Sequence, residues 1–99
     1  MTRGALNNLV VAYDIADPLR LQRVHHHLCK WGIPLQYSLF YCQLDMRDRR
    51  RLEALLRGLI DERADDVRVY GIKSLNDIEF IGRKPLPAGV TITSGHDSL

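Results

Sequence analysis

The chain has 99 residues, which is the size of one domain. Its formal net charge of +2 is mildly basic, which permits a nucleic-acid partner without requiring one. The two cysteines, Cys29 and Cys42, lie too far apart for a CxxC zinc motif, and no apolar run approaches the roughly 18 residues of a membrane span. The first residues lack the pattern of a signal peptide, so we expect a cytoplasmic protein.

The first two elements are predicted to be a buried strand and an amphipathic helix. Residues 9–13, LVVAY, form a continuous apolar run that is typical of a central strand, and Asp14 ends it. Asp17 and Pro18 are the residue types preferred at the N-cap and the first position of a helix. Apolar residues then recur at helical spacing: Leu21, Val24, Leu28 and Trp31. Gly32 is predicted to end the helix.

The rest of the chain predicts further strands around a second helix. Residues 33–44, IPLQYSLFYCQL, alternate in a way that predicts one strand. Residues 45–66 contain a strong helical stripe, which predicts a second helix. The stripe consists of Leu52, Leu55, Leu56, Leu59 and Ile60. Two short strands are predicted at residues 67–72, VRVYGI, and 78–82, IEFIG, so the strand count is ambiguous by one.

This order of elements predicts an α+β, ferredoxin-like βαββαβ fold over residues 1–82. The fold has a four-stranded antiparallel sheet with two helices on one face and the first strand in the middle. The other face of the sheet also needs a cover, and a second copy of the domain would provide it. Residues 83–99 are predicted to be a C-terminal extension in which VTIT, after two prolines, would add one strand before a mobile end.

Three motifs in order resemble the small CRISPR-associated adaptation protein family, ferredoxin-fold dimers described as endonucleases. They are an aromatic-Asp-Ile triplet at residues 13–15, Trp31-Gly32 at the end of the first helix, and a Gln-x-Ser-x-Phe strand at residues 36–40. The resemblance covers residues 9–82. It implies a homodimer that works with the adaptation integrase, and a C-terminal segment that adds a strand to the neighbouring subunit.

Asp14 is the first candidate site residue. The resemblance implies that it is catalytic and binds a divalent metal, Mg²⁺ or Mn²⁺, with one Asp14 from each subunit near the dimer two-fold axis. The alternative is a turn aspartate that accepts backbone N–H groups. The resemblance also places Ser38 near Asp14, as a catalytic side chain that positions a phosphate or a metal-bound water. Packing within the sheet is the alternative for Ser38.

The arginines of the two helices are candidate nucleic-acid ligands. Arginine forks bind phosphate oxygens, and such contacts give a sequence-independent affinity that falls with salt. The predicted set is Arg20, Arg23, Arg47, Arg49, Arg50 and Arg51. The alternative is a solvated surface with ion pairs inside each helix. The run His25-His26-His27 is not predicted to bind a metal, because successive helical residues point about 100° apart.

The resemblance therefore implies a metal-dependent endonuclease or endoribonuclease of CRISPR spacer acquisition that binds duplex DNA. Two alternatives remain open from the sequence. One is a toxin-type ribonuclease of the same fold, which would share Asp14 but have no integrase partner. The other is a non-catalytic scaffold dimer that holds nucleic acid. The sequence does not decide between DNA and RNA as the substrate.

Overall fold

The computed structural model describes residues 4–82, which form a four-stranded antiparallel sheet covered on one face by two helices. The elements are β1 (Asn7–Asp14), α1 (Pro18–Leu28), β2 (Ile33–Gln36), β3 (Leu39–Leu44), α2 (Met46–Leu59) and β4 (Asp66–Ile72), followed by a short 3-10 turn (Leu75–Asp77). The strand order is β2-β3-β1-β4, with β1 between β3 and β4. The predicted α+β, ferredoxin-like class and the central position of the first strand are confirmed.

The core lies between the sheet and the helices. Alternate residues of β1, Leu9, Val11 and Tyr13, point into this core, where they meet Val24 of α1 and Leu52 of α2. The intervening residues of β1 lie on the other face, and even there Val10 is only 7% exposed. Burial on both faces explains why the strand reads as a continuous apolar run.

The first helix begins as predicted. The Asp17 carboxylate accepts a hydrogen bond from the Arg20 backbone N–H at 2.9 Å, and Pro18 occupies the first turn. The regular helix ends at Leu28, before Gly32. A Cβ on Gly32 would lie 2.5 Å from the Cys42 Sγ and closer still to the Tyr41 carbonyl oxygen. Gly32 is therefore required by its close approach to β3.

The prediction of one strand across residues 33–44 is wrong. The chain reverses at Tyr37 and Ser38, and β2 pairs antiparallel with β3 through Ile33↔Tyr41. This hairpin supplies the second and third strands from one apolar run, which resolves the ambiguous strand count. The turn leaves Tyr37 76% exposed.

The predicted strand at residues 78–82 is also not formed. These residues follow the 3-10 turn as irregular chain and pair with no strand among residues 4–82. β4 pairs with β1 on one edge, and no strand among residues 4–82 pairs with its other edge. The C-terminal extension at 83–99, including VTIT, lies outside the described residues.

The sheet face away from the helices, called the open face here, carries both apolar and polar side chains. Register and alternation place these residues on it: Asn8, Val10, Ala12, Asp14, Ile33, Leu39, Tyr41, Gln43, Asp66, Arg68, Tyr70 and Ile72. Asn8 anchors one end, where it accepts hydrogen bonds from the Tyr41 hydroxyl (2.5 Å) and the Gln43 amide (3.1 Å). Tyr70 is 48% exposed and Ile33 is 41% exposed on this face. No helix within residues 4–82 is long and apolar enough to cross a membrane.

Candidate active site

Asp14 is the last residue of β1 and lies exposed at one end of the open face. Among residues 4–82, no side-chain hydrogen bond or ion pair involves its carboxylate. The role of a turn aspartate is filled by two other residues: Asp65 accepts from the Ala16 N–H, and Asp17 accepts from the Arg20 N–H. Both oxygens of Asp14 are therefore available to a ligand.

A second carboxylate lies directly across the ladder from Asp14. Asp14 and Asp66 are register partners on β1 and β4, which places their Cβ atoms roughly 4.5–5.5 Å apart. The Asp66 carboxylate is paired with the Arg68 Nε at 2.9 Å. Hydrogen bonds to Tyr70 and to Asp66 raise the pKa of Arg68. The end of the open face thus carries two negative charges on one rung, only one of which has a protein partner within the described chain.

Asp65 closes the loop that follows Asp14. Its carboxylate accepts from Arg20 through Nε at 2.8 Å and Nη2 at 3.1 Å, and from the backbone N–H groups of Ala16 and Asp61, each at 2.8 Å. The Asp65 side chain is 0% exposed. Donation from Arg20, with the two backbone N–H groups, holds the pKa of the Asp65 carboxyl well below its usual range.

Tyr13, the residue before Asp14, is fixed by contacts of its side-chain hydroxyl. The Tyr13 hydroxyl donates to the Tyr37 carbonyl oxygen at 3.0 Å and lies 3.1 Å from the His25 Nδ1. One hydroxyl proton serves one acceptor, so both contacts form together only when His25 carries a proton on Nδ1 and donates it to Tyr13. Burial, with smaller effects from Cys29 and Tyr37, raises the pKa of Tyr13 to about 12.

Ser38 lies at the same end of the sheet. Its carbonyl oxygen accepts from the Tyr13 N–H at 3.1 Å, which sets Ser38 beside the residue that precedes Asp14. The two sequence-predicted residues Asp14 and Ser38 therefore lie at the same end of the sheet. A cavity of about 160 Å³ lies beside the Tyr13 side chain and is lined by Tyr13, Leu21, Gln22, His25 and Tyr37.

The predicted arginines fall into two groups. Three are held in ion pairs: Arg20 with Asp65 (2.8 Å), Arg49 with Glu53 (3.3 Å) and Arg51 with Asp48 (3.7 Å). The other three are exposed and form no ion pair with residues 4–82: Arg23, Arg47 and Arg50. The structure thus leaves this second group with open guanidinium forks.

At this end of the open face, the described chain offers a hard cation one free carboxylate, that of Asp14. Within residues 4–82 there is no group of three or more His, Cys, Asp or Glu side chains that would hold a metal. Mg²⁺ keeps several waters and needs only one or two carboxylates, and Asp14 provides one free carboxylate per chain. A two-fold axis near Asp14 would provide the second.

Comparisons with known proteins decide the family. The model of the family "CRISPR associated protein Cas2" matches residues 7–77. The chain belongs to the Cas2 family. CRISPR-associated endoribonuclease Cas2 1 of Nitrosomonas europaea is 40% identical over 91% of this chain and 86% of its own length. CRISPR-associated endonuclease Cas2 2 of Thermus thermophilus is 36% identical over 78% of this chain and 83% of its own length.

A solved Cas2 structure shares the fold. The crystal structure of Streptococcus pyogenes Cas2 at pH 6.5 superposes with a TM-score of 0.70 at 26% identity, covering 76% of this chain and 99% of that chain. The family resemblance drawn from the sequence motifs is confirmed by these matches.

Two residues at this site were missed in the sequence. The second helix predicted over residues 45–66 includes Asp65 and Asp66, whereas α2 ends at Leu59. Asp65 bonds the loop after Asp14, and Asp66 lies opposite Asp14 on β4. Arg20 and Asp65 are 45 positions apart, so no local pattern reports their pairing. A weak signal is the Asp-Asp pair directly before the apolar VRVY run, which marks the edge of a strand.

Proposed function

We propose that this Cas2 family member is a metal-dependent nuclease of the CRISPR adaptation system. It works as a homodimer that holds duplex DNA beside the adaptation integrase. The observation that carries the proposal is the Asp14 carboxylate, which is exposed at the end of the open face and has no side-chain partner among residues 4–82. The nuclease class is supported by the names of the relatives, endoribonuclease and endonuclease. The integrase partner and a cytoplasmic location rest on family membership.

The homodimer is supported by the open face. Apolar side chains at Tyr70 and Ile33 stay partly exposed there, while the other face of the sheet is covered by the two helices. A second copy would bury these side chains, and burial of apolar surface is the main favourable contribution to association. A two-fold axis across this face, at the end where β1 stops, would bring two Asp14 carboxylates together.

The two carboxylates would hold one hydrated Mg²⁺ or Mn²⁺ between the chains. When bound, the cation supplies an activated water and neutralises charge on a phosphodiester. The chain's own task is to hold Asp14 still. The β1–β4 ladder, the hydrogen bond from the Tyr13 N–H to Ser38 and the Asp65 contacts fix the backbone on both sides of it. Ser38 would orient a phosphate oxygen or a water beside this point.

Nucleic-acid binding is supported by the arginines with open forks. Arg23 on α1, with Arg47 and Arg50 on α2, can each donate to phosphate oxygens without breaking an ion pair within residues 4–82. Such contacts read the backbone and not the sequence, so affinity falls steeply as salt rises. The same contacts suit duplex DNA and RNA.

The test is a cleavage and binding assay on the wild type, Asp14→Ala and the control Glu79→Gln. Glu79 is an exposed carboxylate that forms no ion pair with residues 4–82 and lies outside the site. Duplex DNA and single-stranded RNA are each incubated with Mg²⁺, Mn²⁺ or a chelator. We expect cation-dependent cleavage by the wild type and by Glu79→Gln, none by Asp14→Ala, and unchanged, salt-sensitive binding by all three.

Three other outcomes would each reject part of the proposal. Equal cleavage by Asp14→Ala would remove Asp14 from the reaction. Salt-sensitive binding with no cleavage under any condition would establish the scaffold alternative. Cleavage of RNA alone, together with growth arrest on expression, would establish the toxin-type ribonuclease.

A further inference from the structure

We infer that Arg20 and Asp65 form a positioning clamp that holds the Asp14 carboxylate in the geometry needed for its cation. This inference rests on the proposed function of Asp14. It also gives Arg20 a role different from the phosphate contact suggested by the sequence. The clamp consists of the Asp65 carboxylate and its four donors: two nitrogens of Arg20, and the backbone N–H groups of Ala16 and Asp61.

The first observation is where the clamp attaches. Ala16 lies two residues after Asp14, and its N–H is bonded to the Asp65 Oδ1 at 2.8 Å. The residue after Asp65 is Asp66, the register partner of Asp14. The backbone from 14 to 16 is thus tied at one end to Asp66 by the ladder and at the other end to Asp65 by a hydrogen bond. A closed ring of this kind limits rotation of the Asp14 backbone.

The second observation is that the clamp is fully bonded and shielded. The Asp65 side chain is 0% exposed, and both of its oxygens accept more than one hydrogen bond. The bidentate contact fixes the plane of the carboxylate as well as its position. The Arg20 backbone N–H is itself bonded to the Asp17 cap, so the start of α1, the loop after Asp14 and the start of β4 move together.

The third observation is the charge around Asp14. Asp66 repels Asp14 across the same rung, so without a tether the end of β1 would relax away from β4. Arg68 compensates Asp66 and Arg20 neutralises Asp65, so Asp14 keeps the one negative charge of the three that has no partner among residues 4–82. Groups bonded directly to a metal ligand typically change affinity or activity by about 10- to 100-fold. The clamp acts on Asp14 through the backbone, because Asp65 bonds the Ala16 N–H.

The experiment measures Mn²⁺ affinity by calorimetry, and kcat and KM for cleavage, on the full chain. The variants are Arg20→Ala, Arg20→Lys, Asp65→Asn, the double variant Arg20→Ala/Asp65→Asn and Asp14→Asn, with Glu79→Gln as the control. Circular dichroism identifies the variants that remain folded. Arg20→Lys keeps the charge at the start of α1 and removes the fork, so it serves if Asp65→Asn fails to fold.

A clamp predicts that Mn²⁺ affinity and kcat fall about 10-fold or more in each single variant, while KM for the nucleic acid stays near the wild-type value. The double variant should lose no more Mn²⁺ affinity or kcat than the more severely affected single variant, because both single changes remove the same interaction. Glu79→Gln should match the wild type.

Two results would overturn the clamp. The first is folded Arg20 and Asp65 variants that bind Mn²⁺ as the wild type does. The second is a rise in KM for Arg20→Ala with none for Asp65→Asn, which identifies Arg20 as a phosphate ligand. Failure of the proposed function is distinct from both, because the wild type and Asp14→Asn would then bind Mn²⁺ equally weakly.

Discussion

The carboxylate of Asp14 lies across the β1–β4 ladder from that of Asp66, and like charges on one rung destabilise a sheet. Arg68 pairs with Asp66 and relieves part of this repulsion. Asp65 directly precedes Asp66, and its carboxylate stabilises the loop because it is shielded from solvent and bonded to Arg20. Of three neighbouring acids, one stabilises the loop, one is neutralised, and Asp14 retains an uncompensated charge that a cation can use.

At this scale we predict that Asp14→Asn does not destabilise the protein. Removing one charge from the rung should leave the free energy of unfolding unchanged or raise it by up to about 1 kcal/mol. Urea unfolding at neutral pH with chelator present measures this change. Asp65→Asn is the matched comparison and should be less stable, because the Arg20 fork loses its charged acceptor. A clear loss of stability in Asp14→Asn would show that this side chain supports the fold.

The elements differ in how far their sequence predicts them. Helix α1 is predicted from its cap, proline and apolar stripe because all three signals are local. The turn between β2 and β3 has the sequence Tyr37-Ser38, without the glycine or asparagine that marks most tight hairpins, so the two strands read as one. Residues 78–82 have the apolar character of a strand, but a strand also depends on a partner from elsewhere.

The same contrast applies within the candidate site. Asp14 and Ser38 are found from the sequence because they belong to motifs of the family, and the structure places them at one end of the sheet. The contact between Arg20 and Asp65 depends on the tertiary packing of α1 against the loop before β4. Gly32 is an intermediate case. The sequence predicts a glycine stop after the first helix, but only the structure shows that its close packing against Tyr41 and Cys42 excludes a larger residue.

At the scale of elements we predict that Gly32→Ala destabilises the protein by about 1–3 kcal/mol, because the new methyl group would overlap Cys42 and the Tyr41 carbonyl. The matched control is Gly58→Ala in α2, where a Cβ meets no atom within 4 Å. That change should stabilise the helix by up to about 1 kcal/mol. Thermal and urea unfolding of both variants measure the difference. Equal effects of the two substitutions would contradict the close approach of α1's end to β3.

The whole molecule has one packed face and one open face. Phe40, Leu28 and Val11 in the core between the sheet and the helices are 0% exposed, whereas Tyr70 and Ile33 on the open face are partly exposed. Burial in the core also raises the pKa of the Cys42 thiol to about 11, which leaves that cysteine a packing residue at neutral pH. The asymmetry between the faces is what we expect of a small domain that completes itself with a second copy.

The central claim is that two Asp14 carboxylates share one cation across a two-fold axis. Calorimetric titration of the full-length protein with Mn²⁺ tests it most directly, because the stoichiometry separates a shared site from an independent one. We predict one tightly bound Mn²⁺ for every two chains, and loss of that binding in Asp14→Asn with the fold intact. One Mn²⁺ for each chain, or undiminished binding by Asp14→Asn, would contradict the account.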